Sequence, residues 1–488
     1  MINLLLIIVP LLTAFLVALV RNSSRLVQAT AFIGGVATFL LTLNLQGAEL
    51  FTGKWLPGVG ISFALDSGGA SGVLLLVAAI VMIPTLQYAS KQGASAGAFV
   101  ALLLLAHAGL NGIFLARDLV VFYIFWEATL IPGLIMLGLF GGQKRVAALV
   151  KYLVYAVLGS FVMLISIIAT KALSGAASFH ITDLLIATPS LAFETQVLLF
   201  IGFAVGMAVK LPIWPLHSWL ITFNEQNHPS GVADIFGTLY KVGGFGFFLW
   251  ALPMLPLGAE AVTPYLLALG VITAVYGAFA AAGEKHLKRF LAYASLSHMG
   301  IVAAGLFALD LVGASGAIYL LAAQMASTGA LFLMSGYLYR RYETFDMDAY
   351  GGLAKSAPAF AGISLLMIFA SIGVPGLSNF PGEFMALMGT FQTSTALGVL
   401  AIATVITAGA YGVNLYQKIF QGPERAKRND LSAFELALFV PFIVMVVWLG
   451  FFSAPHLKKI DQHTQMIEIQ LERAHTPTLE PLAQGGAK

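Results

Sequence analysis

Long apolar segments recur along the whole chain, and they constrain its fold more than any other feature. A helix needs about 20 apolar residues to span the hydrocarbon core of a bilayer. Such segments alternate here with short polar or Gly/Pro-containing turns. With 59% hydrophobic and only 10% charged residues, the composition is typical of a membrane protein. We therefore predict an all-α polytopic membrane protein with about 14 transmembrane helices. The predicted spans are 2–20, 26–45, 71–89, 95–116, 118–140, 146–170, 195–223, 231–253, 262–282, 287–309, 311–338, 359–391, 394–417 and 433–453.

Lysine and arginine are unevenly distributed between the connections of these spans. Positively charged connections are retained on the cytoplasmic side of a membrane. The odd-numbered connections contain sixteen Lys and Arg residues, whereas the even-numbered ones contain three, Lys54, Arg117 and Lys171. The pattern predicts that both termini lie on the outer side. Because the positive residues serve to orient the chain in the membrane, the net charge of +3 does not indicate binding to nucleic acid. We therefore predict the lipid bilayer, and no nucleic acid, as a partner.

Several kinds of site are excluded or disfavoured by residues that the chain lacks. It contains no cysteine, which excludes disulfides, thiolate metal sites, iron–sulfur clusters and covalently attached haem. Its histidines do not follow a metal-binding spacing such as His-Glu-x-x-His, which disfavours a metal site. The glycine runs "DSGGASG" and "KVGGFGFF" lack the strand–turn–helix context of a nucleotide-binding loop. We therefore predict no cofactor, no metal and no redox centre in this chain.

Four charged side chains fall near the middle of predicted spans. Glu127 lies in "FYIFWEATLIPG", Lys210 and Lys241 lie in the seventh and eighth spans, and Glu383 lies in "GVPGLSNFPGEFMALMG". A charge at the bilayer centre costs about 2.5–3.5 kcal/mol on insertion scales, and such residues usually mark ion or proton pathways. A static ion pair or a protonated carboxyl that only packs is the alternative for each glutamate. The set predicts a functional site at the midplane.

Prolines interrupt the two spans that contain Lys210 and Glu383. Pro212 and Pro215 follow Lys210 in "KLPIWP", and Pro375 and Pro381 precede Glu383 in "VPGLSNFPGE". Proline removes a backbone donor and breaks a helix. Irregular backbone at this depth persists only beside protein or water. We therefore predict broken helices that give the charged groups access to water.

Three histidines and one further lysine accompany this set. Imidazole can pass a proton between its two nitrogens near neutral pH, and we predict this role for His298 in "LAYASLSHMG". His217 could relay protons or could equally cap carbonyls freed by the proline break. His228 either brings protons to the charged residues or only holds the turn between two helices. We assign Lys151 a supporting role.

The positions of the two broken spans indicate an internal repeat. Spans four to eight and spans nine to thirteen each contain five helices, and the fourth member of each group is broken. An odd number of spans places the second copy in the membrane upside down, which is the arrangement of inverted-repeat transporters. The predicted organisation is three N-terminal helices in 1–94, repeats in 95–253 and 262–417, a last helix in 433–453 and a polar tail in 454–488.

Five motifs resemble one known family. They are "DLVVFYIFWEATLIPG", "KLPIWPLHSWL", "GTLYKVGGFG", "HLKRFLAYASLSHMG" and "VPGLSNFPGEF". Together, and over nearly the whole chain, they are similar to the antiporter-like membrane subunits of respiratory complex I, most closely the subunit-four or chain M group. The resemblance implies a proton path through Glu127, Lys210, Lys241 and Glu383. Glutamate at the last position is typical of that group, whereas sister subunits and multi-subunit sodium/proton antiporters usually have lysine there.

The resemblance also implies a function and partners. The chain is expected to be a proton-translocating subunit of an NADH:quinone oxidoreductase in the bacterial cytoplasmic (inner) membrane. Flavin, iron–sulfur clusters and quinone are expected in partner subunits, which include sister antiporter-like chains. The alternatives are a subunit of a multi-subunit cation/proton antiporter or of a membrane hydrogenase, and a non-transporting scaffold of a membrane assembly.

Overall fold

The computed structural model describes residues 1–45, 50–93, 95–239, 242–425 and 427–475. These residues are mainly helical. The first helices are α1 Ile2–Leu19, α2 Ser24–Leu43, α3 Ala70–Ala89, α4 Ala96–Leu115, α5 Leu119–Ala128, α6 Leu130–Phe140 and α7 Arg145–Ser174. The middle helices are α8 Ile181–Ala187, α9 Phe193–Lys210, α10 Ser218–Gln226, α11 Val232–Leu239, α12 Val242–Gly246, α13 Leu252–Met254 and α14 Pro256–Gly283. The last are α15 Leu287–Phe307, α16 Leu311–Tyr342, α17 Pro358–Ser371, α18 Asn379–Thr393, α19 Thr395–Phe420, α20 Ala433–Phe451 and α21 Ala454–His475.

The lengths and apolar composition of these helices fit a polytopic membrane protein. Within the described ranges, 12 helical segments are long and apolar enough to cross a bilayer, with α5 and α6 together forming one of them. Two shorter apolar helical segments, Val242–Met254 and Pro358–Ser371, belong to the predicted eighth and twelfth spans. A π-helical turn, Phe247–Ala251, lies within the first of these. The predicted all-α membrane fold is therefore confirmed.

A β-hairpin and the C-terminal helix pack on one side of the bundle. Strands β1 Phe51–Leu56 and β2 Ile61–Leu65 pair antiparallel. Near the chain start, the Asn3 side chain donates a hydrogen bond to the Leu65 carbonyl at 3.1 Å. Gly69, just after β2, has φ +59°, and a Cβ there would collide with His463 of α21. The N-terminus and α21 therefore lie on the same side of the bundle.

Residues 454–475 of the predicted polar tail pack on the bundle. They form α21, in which Ile460 and Ile467 are buried, and Asp461 accepts a hydrogen bond from the Ser315 hydroxyl at 2.6 Å. The apolar residues of this amphipathic helix thus pack on the bundle. Residues 476–488 of the predicted polar tail lie outside the described part of the chain.

The seventh span is broken between α9 and α10. Pro212 cannot donate a hydrogen bond, and the Ile213 amide instead donates to the Ala208 carbonyl at 3.0 Å. The carbonyl of Val209 then lacks its usual helical donor, and the Trp219 indole donates to it at 3.0 Å. These bonds satisfy backbone groups that would otherwise be unpaired in the membrane interior.

The twelfth span is broken between α17 and α18. The side chain of Asn379 joins the two ends, because its amide nitrogen donates to the Ser371 carbonyl at 3.1 Å. Its amide oxygen accepts hydrogen bonds from Ser378 at 3.2 Å and from Ser327 on α16 at 3.0 Å. Asn379 is fully buried. A single side chain thus fixes the geometry of this break.

A fully buried ion pair connects α11 with α15. The Lys288 ammonium lies 2.8 Å from a carboxylate oxygen of Asp234, and neither side chain is exposed to solvent. Lys288 also donates to the Asn227 carbonyl at 3.0 Å, in the turn between α10 and α11. The distribution of positive residues counts Lys288 only as one of the sixteen Lys and Arg residues of the odd-numbered connections. Its actual position fixes the start of α15 against the turn that leads into α11.

Removing one member of this pair is expected to destabilise the protein. The Lys288→Met change leaves the Asp234 carboxylate buried without its cation, which typically costs about 3–5 kcal/mol. The double variant Lys288→Met/Asp234→Leu removes both charges and should recover most of the loss. Thermal unfolding of the full-length chain in detergent micelles measures the effect. Equal melting temperatures for the single and the double variant would contradict this account of the pair.

Candidate functional site

Lys210 is placed at the interruption between α5 and α6. It is the last residue of α9 and is only 5% exposed. Its ammonium donates to the Trp126 carbonyl at 2.7 Å and to the Thr129 hydroxyl at 3.0 Å. The ammonium also lies 4.2 Å from the centroid of the Trp126 ring, within the range of a cation–π contact. The direct partners of this buried cation are therefore neutral.

Glu127 lies between the two residues that bind Lys210. It is half-buried in the last turn of α5. Its carboxylate interacts electrostatically with Lys210, but the two side chains form no ion pair within 4.0 Å in the described part of the chain. Tyr123 and the buried Tyr152 also lie within electrostatic range of Glu127. The carboxylate is thus close to the ammonium without being fixed to it.

The supporting residues of this half lie on α7 and before α10. Lys151 is half-buried on α7 and lies within electrostatic range of His217. His217 is 6% exposed, and its ring centroid lies 5.1 Å from that of Tyr276. The next residue, Ser218, donates to the Tyr155 hydroxyl at 3.0 Å. Trp219, rather than His217, binds the freed carbonyl of the broken span.

Glu383 and His298 form the second group of ionisable side chains. An oxygen of Glu383 on α18 lies 3.7 Å from Nδ1 of His298 on α15, and the side chains are 4% and 2% exposed. The Tyr411 side chain of α19 is also buried and within electrostatic range of Glu383. Gly373, in the break, has φ +73°, and a Cβ there would collide with Oε2 of Glu383. The absence of a side chain at this position gives the carboxylate its space.

The remaining predicted residues are Lys241, His228 and the four prolines. Lys241 lies outside the described residues, between α11 and α12. His228 lies in the turn before α11, where its Nδ1 is 2.8 Å from the Ser230 hydroxyl and its ring packs on Phe99 at 5.3 Å. The first contact is within the turn, and the second packs the turn on α4. The prolines fall in two classes: Pro212, Pro215 and Pro375 lie in the breaks, and Pro381 lies in the first turn of α18, where proline is tolerated.

Sequence reasoning missed several residues that shape the site. Trp126 and Thr129 bind Lys210 although neither is ionisable, and their only sequence signal is that they flank Glu127 in "WEAT". Tyr411 gave no signal of its own. The arrangement as a whole places a lysine–glutamate group and a histidine–glutamate group beside two broken helices. Among the described residues, no group of His, Asp and Glu is arranged to hold a metal ion.

Comparisons of the sequence with known proteins identify related membrane subunits. The sequence model of the family described as NADH:quinone oxidoreductase/Mrp antiporter, transmembrane, matches residues 116–407. NADH-quinone oxidoreductase subunit 13 of Thermus thermophilus is 41% identical, and the aligned region covers 87% of this chain and 92% of that protein. Subunit M of Rhodobacter capsulatus is 34% identical over 91% of this chain and 92% of its own length.

Solved structures give the same result at the level of the fold. A chain of respiratory complex I from Thermus thermophilus with bound NADH matches with a TM-score of 0.91 and 38% identity, covering 96% of this chain and 100% of that chain. A chain of the Mrp complex from a Dietzia species matches with a TM-score of 0.80 at 20% identity, covering 96% and 99%; this match concerns the fold alone. The chain therefore belongs to the NADH:quinone oxidoreductase/Mrp antiporter transmembrane family and, within it, to the antiporter-like membrane subunits of complex I.

Proposed function

We propose that this chain translocates protons across the membrane along a line formed by Glu127, Lys210, Lys241, His298 and Glu383. In this proposal, quinone reduction in partner subunits supplies the energy. The chain has no cysteine to ligate iron–sulfur clusters, so these clusters, together with flavin and quinone, are expected in those partners. Sister antiporter-like chains are expected among them, because the relatives named above come from multi-subunit complexes.

The environment of Lys210 is the observation that carries this proposal. An ammonium that is 95% buried would normally be paired with a carboxylate, yet its direct acceptors are a carbonyl and a hydroxyl. In a site of low dielectric constant, the strength with which such a group holds its proton depends on nearby charges. A change in the protonation or position of Glu127 would therefore change how strongly Lys210 holds its proton. Lys210 could then bind or release that proton.

The second half of the line would receive that proton. Lys241 follows α11 in the sequence and is the proposed intermediate between Lys210 and α15. From there, His298 can accept a proton at one ring nitrogen and donate another from the opposite nitrogen. Glu383, 3.7 Å from the ring of His298, is the proposed terminal group. A small movement of either side chain would bring the Glu383 oxygen and Nδ1 of His298 within hydrogen-bonding distance.

The positions of the positive connections support one orientation of the chain in the membrane. Lys91, Arg340 and Arg428 come from three different odd-numbered connections and line one cavity, so these connections lie on the same side. The N-terminus and α21 belong to the opposite side with the β-hairpin. Because positive residues mark the cytoplasmic side, we propose that the side with the odd-numbered connections is cytoplasmic. The termini would then be periplasmic, in a bacterial inner membrane. The two broken helices would belong to inverted repeats.

Neutralising either member of the first group should impair pumping. We expect Glu127→Gln and Lys210→Ala each to slow proton transfer through this subunit by roughly tenfold, which corresponds to a barrier increase of about 1.4 kcal/mol. The complex containing each variant would be reconstituted into vesicles, and the proton-to-electron ratio during NADH oxidation would be measured. Both variants should assemble, because neither removes a partner from a tightly bonded ion pair.

Exposed residues provide matched controls for these variants. Glu424→Gln and Lys355→Ala make the same charge changes at exposed positions and should leave the ratio unchanged. A normal proton-to-electron ratio in both Glu127→Gln and Lys210→Ala would refute the relay and favour a non-transporting scaffold. Proton flux that requires sodium would instead favour a cation/proton antiporter.

The space beside Glu383 provides an independent test. In Gly373→Ala, the new Cβ displaces the Glu383 carboxylate, and the positive φ adds about 1–2 kcal/mol of backbone strain. We expect proton pumping to fall, although no residue of the proposed line has been replaced. Gly362→Ala on α17 is the control, because a Cβ there meets no atom within 4 Å. Equal proton-to-electron ratios for the two glycine variants would argue against a role for the exact position of Glu383.

A further inference from the structure

A polar cavity lies on the side of the bundle that carries the positive connections, away from the proposed proton line. Its volume is about 560 Å³, within the range of small-ligand sites, which is about 300–1,000 Å³. It lies where α3 and α16 end and where α20 begins. The charged residues that line it are four cations and two carboxylates: Lys91, Arg340, Arg341, Arg428, Asp430 and Glu435.

Both carboxylates of the cavity are already engaged by the protein. Asp430 accepts hydrogen bonds from the amides of Ala359 at 2.8 Å and Phe360 at 3.0 Å, so its charge is directed at the N-terminus of α17. Glu435 accepts a hydrogen bond from the amide of Ser432 at 2.9 Å and forms the capping box of α20. The cavity therefore offers little free negative charge.

Arg341, one of the four cations, is also engaged by the protein. The guanidinium of Arg341 donates to the carbonyls of Tyr337 at 3.3 Å, Asn429 at 3.1 Å and Asp430 at 3.3 Å. It also lies 3.6 Å from Glu435. Arg341 is thus a structural residue that holds the connection before α20 in place.

The other three cations differ in how far the protein engages them: Arg340 is partly engaged, because it pairs with Glu435 and hydrogen-bonds with Tyr88, whereas Lys91 and Arg428 remain available to a ligand. Lys91 and Arg428 have no carboxylate within 4.0 Å in the described ranges; their ammonium and guanidinium groups lie 3.7 Å from the ring centroid of Phe434 and 5.0 Å from that of Tyr342. Nε of Arg428 is buried and has no hydrogen-bond partner within those ranges. Arg340 has a single ion-pair contact, 3.3 Å to Glu435, and its side chain is 55% exposed. The cavity thus has unsatisfied donors and two more cations than carboxylates.

The surface next to the cavity is apolar and faces outward. Ser432 lines the cavity at the start of α20. Leu436, Val440 and Val444 follow it at intervals of four residues, and these three side chains are 41%, 48% and 56% exposed. Residues four apart lie on one face of a helix. A basic cavity at the helix ends therefore continues into an exposed apolar stripe along α20.

We propose that this cavity binds the phosphate of an anionic phospholipid. Arg428, Lys91 and Arg340 bind the phosphate oxygens, since guanidinium and ammonium groups form strong charge-assisted hydrogen bonds with phosphate. The acyl chains lie along the stripe of Leu436, Val440 and Val444. A basic pocket between helices on the positive side of a membrane protein has the chemistry for this kind of ligand.

Photolabelling of the assembled complex tests this site. The complex is placed in nanodiscs of phosphatidylcholine that contain either photoreactive phosphatidylglycerol or photoreactive phosphatidylcholine, each with a diazirine on an acyl chain. Labelled peptides are then mapped by mass spectrometry. We expect phosphatidylglycerol to label residues 436–447 of α20 in clear excess over phosphatidylcholine.

Charge variants identify the residues responsible. The double variant Lys91→Gln/Arg428→Gln should reduce this labelling by about tenfold or more, because each of these two cavity cations is expected to contribute about a factor of five in affinity. Lys427→Gln is the matched control: it removes an exposed charge in the same connection, one residue from Arg428 and outside the cavity lining. It should leave the labelling unchanged.

The alternative occupants give different results. Equal labelling by the two lipids, or equal labelling of the double variant and the unchanged chain, would overturn the proposal. Absence of labelling in the assembled complex would also overturn it, because a partner subunit would then cover the cavity. Inorganic phosphate at millimolar concentration should not abolish the labelling; if it does, free phosphate rather than a lipid is the preferred ligand.

Discussion

The rest of the structure depends on the need to satisfy every backbone hydrogen-bonding group within the membrane. A continuous helix meets this need by itself, whereas a broken helix must obtain partners from elsewhere. The Trp219 indole and the Asn379 amide supply such partners at the two breaks, by binding the carbonyls of Val209 and Ser371. The breaks are therefore stable features of the fold. They also create irregular backbone next to Lys210 and Glu383, where charged groups can be accommodated.

Two buried lysines with different partners show how the chain separates a structural charge from a movable one. Lys288 lies 2.8 Å from Asp234 and is fully enclosed, so separating the pair would leave two unpaired charges in the protein interior. Lys210 is also buried, at 5% exposure, but it binds only neutral acceptors, and the half-buried Glu127 lies nearby. Its charge can change without breaking an ion pair. The first arrangement is suited to holding helices together, and the second is suited to proton transfer.

Much of this architecture could be predicted from the sequence because it depends on local patterns. Apolar segments of about 20 residues identify membrane spans, and the prolines of "KLPIWP" and "VPGLSNFPGE" indicate where the helices break. The structure follows both patterns. Local patterns do not indicate that His298 and Glu383 lie close together, since the two side chains are distant in the sequence and come from different helices. Only their assignment to the same proton line suggested this proximity.

Features that depend on tertiary contacts could not be predicted in the same way. Lys288 resembled an ordinary residue of a positive connection, and only the packing of α15 against α11 reveals its partner. The amphipathic α21 was compatible with a solvated helix, because the surface that buries Ile460 and Ile467 comes from distant parts of the chain. The β-hairpin 51–65 was also missed, since its short strands lie between two stronger helical signals.

The surroundings of Glu383 limit how a proton could leave the end of the proposed line. A cavity of about 650 Å³ adjoins this carboxylate, but its lining is mainly apolar and includes the exposed side chains of Phe384 and Phe391. Such a cavity favours hydrocarbon over a chain of water molecules, because water needs polar partners. The polar neighbours of Glu383, His298 and Tyr411, lie on other helices of the bundle. A proton is therefore expected to reach and leave Glu383 through the protein interior rather than through this apolar cavity.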